Sequence, residues 1–142
     1  MILADTSVWV DHFRSGNDEL RRHLASRNIA MHPFIVAELA LGSLRDRART
    51  LAFLDFLPRV RVARLSEVRQ MIEARSLYSR GIGLIDAHLI ASIFINPGTL
   101  LWTKDNRLRN IAEALGIHAN LPREGRAEAG RHTQALNSTR KQ

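Results

Sequence analysis

Four acidic residues, Asp5, Glu38, Asp86 and Asp105, are the side chains of this sequence that could do chemistry together. Asp5 interrupts the apolar opening Ile2-Leu3-Ala4 and is followed by the hydroxyls Thr6 and Ser7. Asp105 follows Leu100-Leu101-Trp102 through Thr103 and Lys104. Ligands of open α/β sheets bind at the carboxyl ends of strands, where both acids would stand. Asp86 falls near the start of a mostly apolar segment, Leu84 to Ile95. Each of these three also has a purely structural account, as a helix cap for Asp5 and Asp105 and as a dipole partner for Asp86. Glu38 has no such account, because it lies amid Val36, Ala37, Leu39 and Ala40. A buried carboxylate needs a partner or an open pocket, and a salt bridge to one of the arginines is its bland alternative.

Gathered in one crevice, four carboxylates without a His or Cys cluster would select Mg²⁺ or Mn²⁺ over Zn²⁺. They would also require the cation, since several like charges together repel and protonate. Magnesium binds through few carboxylates plus substrate phosphate, which suits hydrolysis of a phosphodiester by an activated water. Other chemistries are excluded by what is missing. The chain has no Gly-x-x-x-x-Gly-Lys loop, no Gly-x-Gly-x-x-Gly after a strand and no His-Glu-x-x-His. No second Asp stands two residues after Asp5, as phosphoaspartyl phosphatases require, and Ala63-Arg64-Leu65 lacks the phosphoacceptor Asp of receiver domains. The absence of cysteine rules out disulfides, thiolate metal sites and cysteine nucleophiles. The histidines and Asp11 show no ligand spacing; Trp9 and Trp102 read as packing groups and His88 as a surface or interface residue.

The elements that must position the acids follow from periodicity and punctuation. The pattern predicts strands at 1–4, 29–31, 61–65 and 99–103, with a short last one near 116–118. Helices are predicted over 7–14, 17–27, 33–41, 45–57, 66–80, 84–95 and 105–115, broken at Ser15-Gly16, Gly42, Pro58, Gly81-Ile82-Gly83 and Asn96-Pro97-Gly98. Leu51, Phe53, Leu54, Phe56 and Leu57 would form the inward face of the fourth helix. Strands alternating with helices imply βαβ units and a mostly parallel sheet flanked on both faces.

With 142 residues, 45% hydrophobic and 25% charged, the chain has the size and composition of one globular domain. No apolar run reaches the roughly 20 residues needed to cross a bilayer, and Asp5 interrupts any signal-peptide core, so a cytoplasmic protein is expected. The net charge is +7; set the four acids aside, and 21 basic residues face 10 acidic ones, or +11. A basic body around an acidic hole is the field of a protein that attracts a polyanion and holds cations. Residues 1–122 are expected to form the domain. Residues 123–142, with five basic and two acidic residues, read as a basic, flexible tail, with a nucleic-acid-binding arm as an alternative.

Four stretches, in order, resemble the motifs of the PIN-domain toxins called VapC. They are Asp5-Thr6-Ser7-Val8-Trp9-Val10-Asp11-His12-Phe13-Arg14, Ile35-Val36-Ala37-Glu38-Leu39 with Gly42, Gly83-Leu84-Ile85-Asp86-Ala87-His88-Leu89-Ile90-Ala91-Ser92, and Leu101-Trp102-Thr103-Lys104-Asp105. The resemblance covers about residues 1–118. It implies a PIN-like three-layer α/β/α fold with four to five short strands, and a Mg²⁺- or Mn²⁺-dependent endoribonuclease neutralised by a VapB-type antitoxin that plugs the active site. It also implies a homodimer, Asp5, Glu38, Asp86 and Asp105 as metal-binding catalytic acids, and Thr6, Ser7 and Thr103 as supporting hydroxyls. Many relatives carry a further acid two residues after the fourth, where this chain has Arg107. Two other readings share the fold: a catalytically silent module binding RNA or protein, and a housekeeping nuclease of RNA maturation.

Overall fold

A computed structural model describes residues 1–121, so the segment 123–142 and the boundary at 122 lie outside the described residues. Strand β1 (Ile2–Ala4) is the axis of the sheet. It pairs in parallel with β2 (Ile29–Ala30) on one side and β3 (Leu100–Trp102) on the other, in the order β2-β1-β3. Its three side chains are all buried. An unbroken apolar run, rather than an alternating one, is what a strand covered on both faces needs.

Among the described residues seven helices flank this sheet: α1 (Thr6–Ser15), α2 (Asp18–Ala25), α3 (Pro33–Ala40), α4 (Arg47–Phe56), α5 (Leu65–Ala74), α6 (Leu84–Phe94) and α7 (Asn106–Ala114). Helix α1 packs on β1 and α3, α3 on α4, α5 on α6, and α6 on β3. Trp9 and Trp102 are fully buried in the core, as packing groups should be.

The sheet is narrower than the sequence suggests. Among the described residues three strands form, and the outer ones gain only single parallel bridges, Met31 to Arg59 and Leu101 to His118. The strand expected over 61–65 does not form because its polar backbone is satisfied elsewhere. Arg61 N–H donates to Asn96 Oδ1 at 2.9 Å, Arg61 C=O accepts from Asn96 Nδ2 at 2.8 Å, and Ala63 N–H donates to Ser92 Oγ at 3.3 Å. Side chains at the end of α6 thus replace a neighbouring strand. The expected last strand is reduced to the bridge at His118, with Leu101 N–H donating to Ile117 C=O at 2.8 Å.

Other boundaries also shift. Helix α5 stops at Ala74 rather than near 80, because Ser76 and Ser79 take left-handed φ values of 52° and 59° and Gly81 one of 78°. In α4 only Leu54 is fully buried; Phe53 is 46% exposed and Phe56 is 91% exposed, against the expected inward face. His88 is buried, not superficial, because every residue of α6 from Ala87 to Ile93 is covered. Its ring meets Phe34 edge-on at 4.7 Å.

His32 accounts for the start of α3. Its Nδ1 accepts from Phe34 N–H at 3.0 Å, while burial, then His88 and Arg59, push its pKa down to about 4. The ring is therefore neutral at physiological pH and serves as a cap.

Candidate active site

The carboxyl ends of β1 and β3 lie side by side, with Asp5 N–H donating to Trp102 C=O at 2.9 Å. Asp5 caps α1: its Oδ1 accepts from Ser7 N–H at 3.0 Å and Val8 N–H at 3.4 Å, and from the Ser7 hydroxyl. Its Oδ2 accepts from Thr103 Oγ1 at 2.6 Å. Burial pushes the Asp5 carboxyl above its ordinary value, and the hydroxyls of Ser7 and Thr103 and the backbone N–H groups of Val8 and Ser7 oppose that rise. The capping and site readings of Asp5 are therefore compatible.

Thr103 and Ser7 tie the two strand ends into one unit. Lys104 N–H donates to Ser7 Oγ at 2.9 Å and Asp105 N–H to Thr103 Oγ1 at 3.0 Å. Asp105 caps α7 through Leu108 N–H at 2.9 Å, using Oδ1, and is exposed. Lys104, which reads in the sequence as a mere spacer, reaches Asp11 on α1 at 3.0 Å and braces the same junction. A lysine one residue before a capping acid, with an unexplained Asp on the facing helix, was the available signal.

Glu38 is half-buried on α3, and its Oε1 accepts from Thr6 Oγ1 at 2.6 Å. No arginine or lysine among the described residues pairs with it, so the salt-bridge alternative is not what holds it. It opens onto a groove of about 310 Å³ lined by Val10, Phe13, Arg14 and Leu44, among others. Asp86 lies half-buried in the first turn of α6. Its carboxyl is pushed up to about 6, first by burial, then by the charges of Asp5 and Asp105, with a smaller push from Glu38. Three acids from three other segments thus act on one carboxyl group.

Among the described residues, no three His, Asp or Glu side chains form a ready-made cation cage. Hydroxyls account for part of this, since Thr103 and Ser7 hold Asp5 and Thr6 holds Glu38. The donor set still fits a hard cation. It consists of carboxylate oxygens with mutual repulsion that a divalent charge would relieve.

Short parallel strands, flanking helices and acids at the strand ends define a class of protein. A family model described as "PIN domain" matches residues 2–114, and the chain belongs to the PIN-domain family. The match spans all four acids. Among similar proteins are the "Ribonuclease VapC32" proteins of Mycobacterium tuberculosis strains CDC 1551 and H37Rv. Each is 38% identical over 117 residues, covering 82% of this chain and 94% of the relative.

Proposed function

We propose that the chain is a divalent-metal-dependent endoribonuclease of the VapC toxin type, with Asp5, Glu38, Asp86 and Asp105 as its metal-binding catalytic carboxylates. The observation that carries this reading is the gathering of the acids around Asp86, whose carboxyl is raised to about 6 first by burial and then by the charges of Asp5, Asp105 and Glu38. Membership of the PIN family and the ribonuclease name of the relatives point to the same reaction.

An oxygen-only donor set suits Mg²⁺ or Mn²⁺, which would polarise the scissile phosphate and activate the attacking water. Ser7 and Thr103 hold the Asp5 carboxylate at the junction of β1 and β3. Thr6 orients Glu38, which completes the ligand shell or positions the attacking water. Asp86 gives up its proton when a cation is bound, so affinity should rise with pH through about 6. Arg14, which lines the groove beside Glu38, would neutralise a flanking phosphate and make RNA binding salt-sensitive.

A VapB-type antitoxin is the partner this reading implies, plugging the crevice, and a second copy completes a homodimer. Among the described residues no helix is long and apolar enough to cross a membrane, and we place the toxin in the cytoplasm with its RNA. The test is cleavage by purified, partner-free chain. RNA should be cut with Mg²⁺ or Mn²⁺, cutting should stop with EDTA, and excess Mg²⁺ should restore it. Equal cleavage in EDTA would overturn the metal-dependent reading, and sequencing the RNA ends would identify the target.

A further inference from the structure

The chain's only tyrosine is not used by the chemistry above. Tyr78 stands in the turn between α5 and α6, 57% exposed, on a cleft of about 260 Å³. The other walls are mostly apolar: Ile72, Leu77, Ile82, Leu84 and Ala87, closed by Gly83. Gly83 is the N-cap of α6, three residues before Asp86. The cleft therefore opens beside the start of the helix that carries a proposed catalytic acid.

Three left-handed residues, Ser76, Ser79 and Gly81, fold this turn. Non-glycine residues in that region are strained and concentrate at ligand clamps. A cation stands at the same turn. Arg107, exposed on α7, donates from Nη1 to Gly81 C=O at 3.4 Å. A Cβ on Gly81 would lie 2.9 Å from that nitrogen, so glycine leaves the guanidinium its place. Arg107 makes no ion pair among the described residues and is not among the charges acting on Asp86. Most of its donors remain available for an external anion.

A tyrosine lining an apolar cleft, with a guanidinium that makes no ion pair at the adjoining turn, is a combination that can hold a single-stranded nucleotide. The cleft is below the usual size of sites for drug-sized ligands and suits one base. We propose that it is a subsite for one unpaired nucleotide of the RNA substrate, its base stacked on Tyr78 and its phosphate on Arg107. The proposal rests on the endoribonuclease reading and adds a specificity element to it. A duplex keeps its bases stacked inside, so unpaired RNA is the preferred substrate.

Binding of a fluorescent single-stranded RNA in EDTA tests the subsite without the reaction. Tyr78→Ala should weaken binding by about tenfold, Tyr78→Phe should restore it, and Arg107→Ala should lower the salt slope by about one. Gly83 has an extended φ of −94°, and a Cβ there meets nothing within 4 Å. Gly83→Val should therefore be accommodated by the fold, and the added bulk at the cleft wall should weaken binding similarly. With Mg²⁺, Tyr78→Ala should raise KM more than it lowers kcat and spread the cut positions. Unchanged affinity in both Tyr78→Ala and Gly83→Val, or equal affinity for duplex RNA, overturns the subsite. A wild-type chain that cuts no RNA overturns the nuclease reading instead, and the binding assay still decides this one.

Discussion

Asp5→Asn is expected to abolish RNA cleavage while leaving the fold intact. Asparagine caps a helix about as well as aspartate, so Ser7 and Val8 N–H keep their acceptor and α1 keeps its start. With the asparagine carbonyl in the capping place, its amide NH2 faces Thr103, whose hydroxyl turns to accept. What the substitution removes is the negative charge at the junction of β1 and β3. Loss of a metal ligand should cost at least about a hundredfold in rate, since changing even the outer partners of metal ligands costs about 10–100-fold. Single-turnover cleavage, with circular dichroism as the folding control, checks this. Undiminished cleavage by a folded variant would remove Asp5 from the mechanism.

Asp86→Asn is expected to stabilise the metal-free protein while inactivating it. Because the folded carboxyl titrates at about 6 against an ordinary 3.8, the fold disfavours its ionised form. The sign follows directly: the penalty is fully present above pH 6 and disappears as the pH falls towards 4. A carboxyl raised from 3.8 to about 6 corresponds to about 3 kcal/mol at most, and partial solvation makes on the order of 1–2 kcal/mol the better expectation. Melting of the EDTA-treated variant at pH 7.5 should therefore rise by about 3 °C or more above wild type. Saturating Mg²⁺ should stabilise wild type more than the variant and narrow the gap. The comparison must be between variant and wild type at each pH. His32 acts in the opposite direction: its folded value near 4 lies below the ordinary 6.5, so acid destabilises the fold through it. A variant that melts below wild type at pH 7.5 would contradict the shared field.

Asp5 and Glu38 were legible in the sequence because each breaks a run that its neighbours keep, whereas Asp86 and Asp105 sit where a helix start accepts an acid anyway. Asp5 stops an apolar strand, and Glu38 interrupts a helix whose other residues are apolar. The hydroxyls next to them were legible as resembling a family motif, though not as the hydrogen-bond network that joins Ser7, Thr103 and Asp5. That network depends on β1 and β3 being adjacent, a pairing across nearly a hundred residues that local pattern cannot fix. The strand expected over 61–65 failed for a related reason. Its alternating pattern is real, but Asn96 and Ser92 supply hydrogen bonds from a distant helix. Phe53 and Phe56 show the opposite limit. Their hydrophobicity predicts burial, yet they lie exposed beside an apolar cleft with Leu24, Arg27 and Leu57. Tyr78 is silent in the sequence because its neighbours are ordinary turn residues. Its position beside the cleft appears only once α5 stops six residues early.

The most direct measurement is a calorimetric titration of Mn²⁺ into the purified chain at pH 7.5, with Asp5→Asn and Asp86→Asn alongside. A cation held by the four acids predicts saturable binding to wild type, with proton release as Asp86 ionises, and loss of at least about tenfold in affinity in each variant. Equal Mn²⁺ affinity in wild type and both variants would contradict a shared carboxylate site.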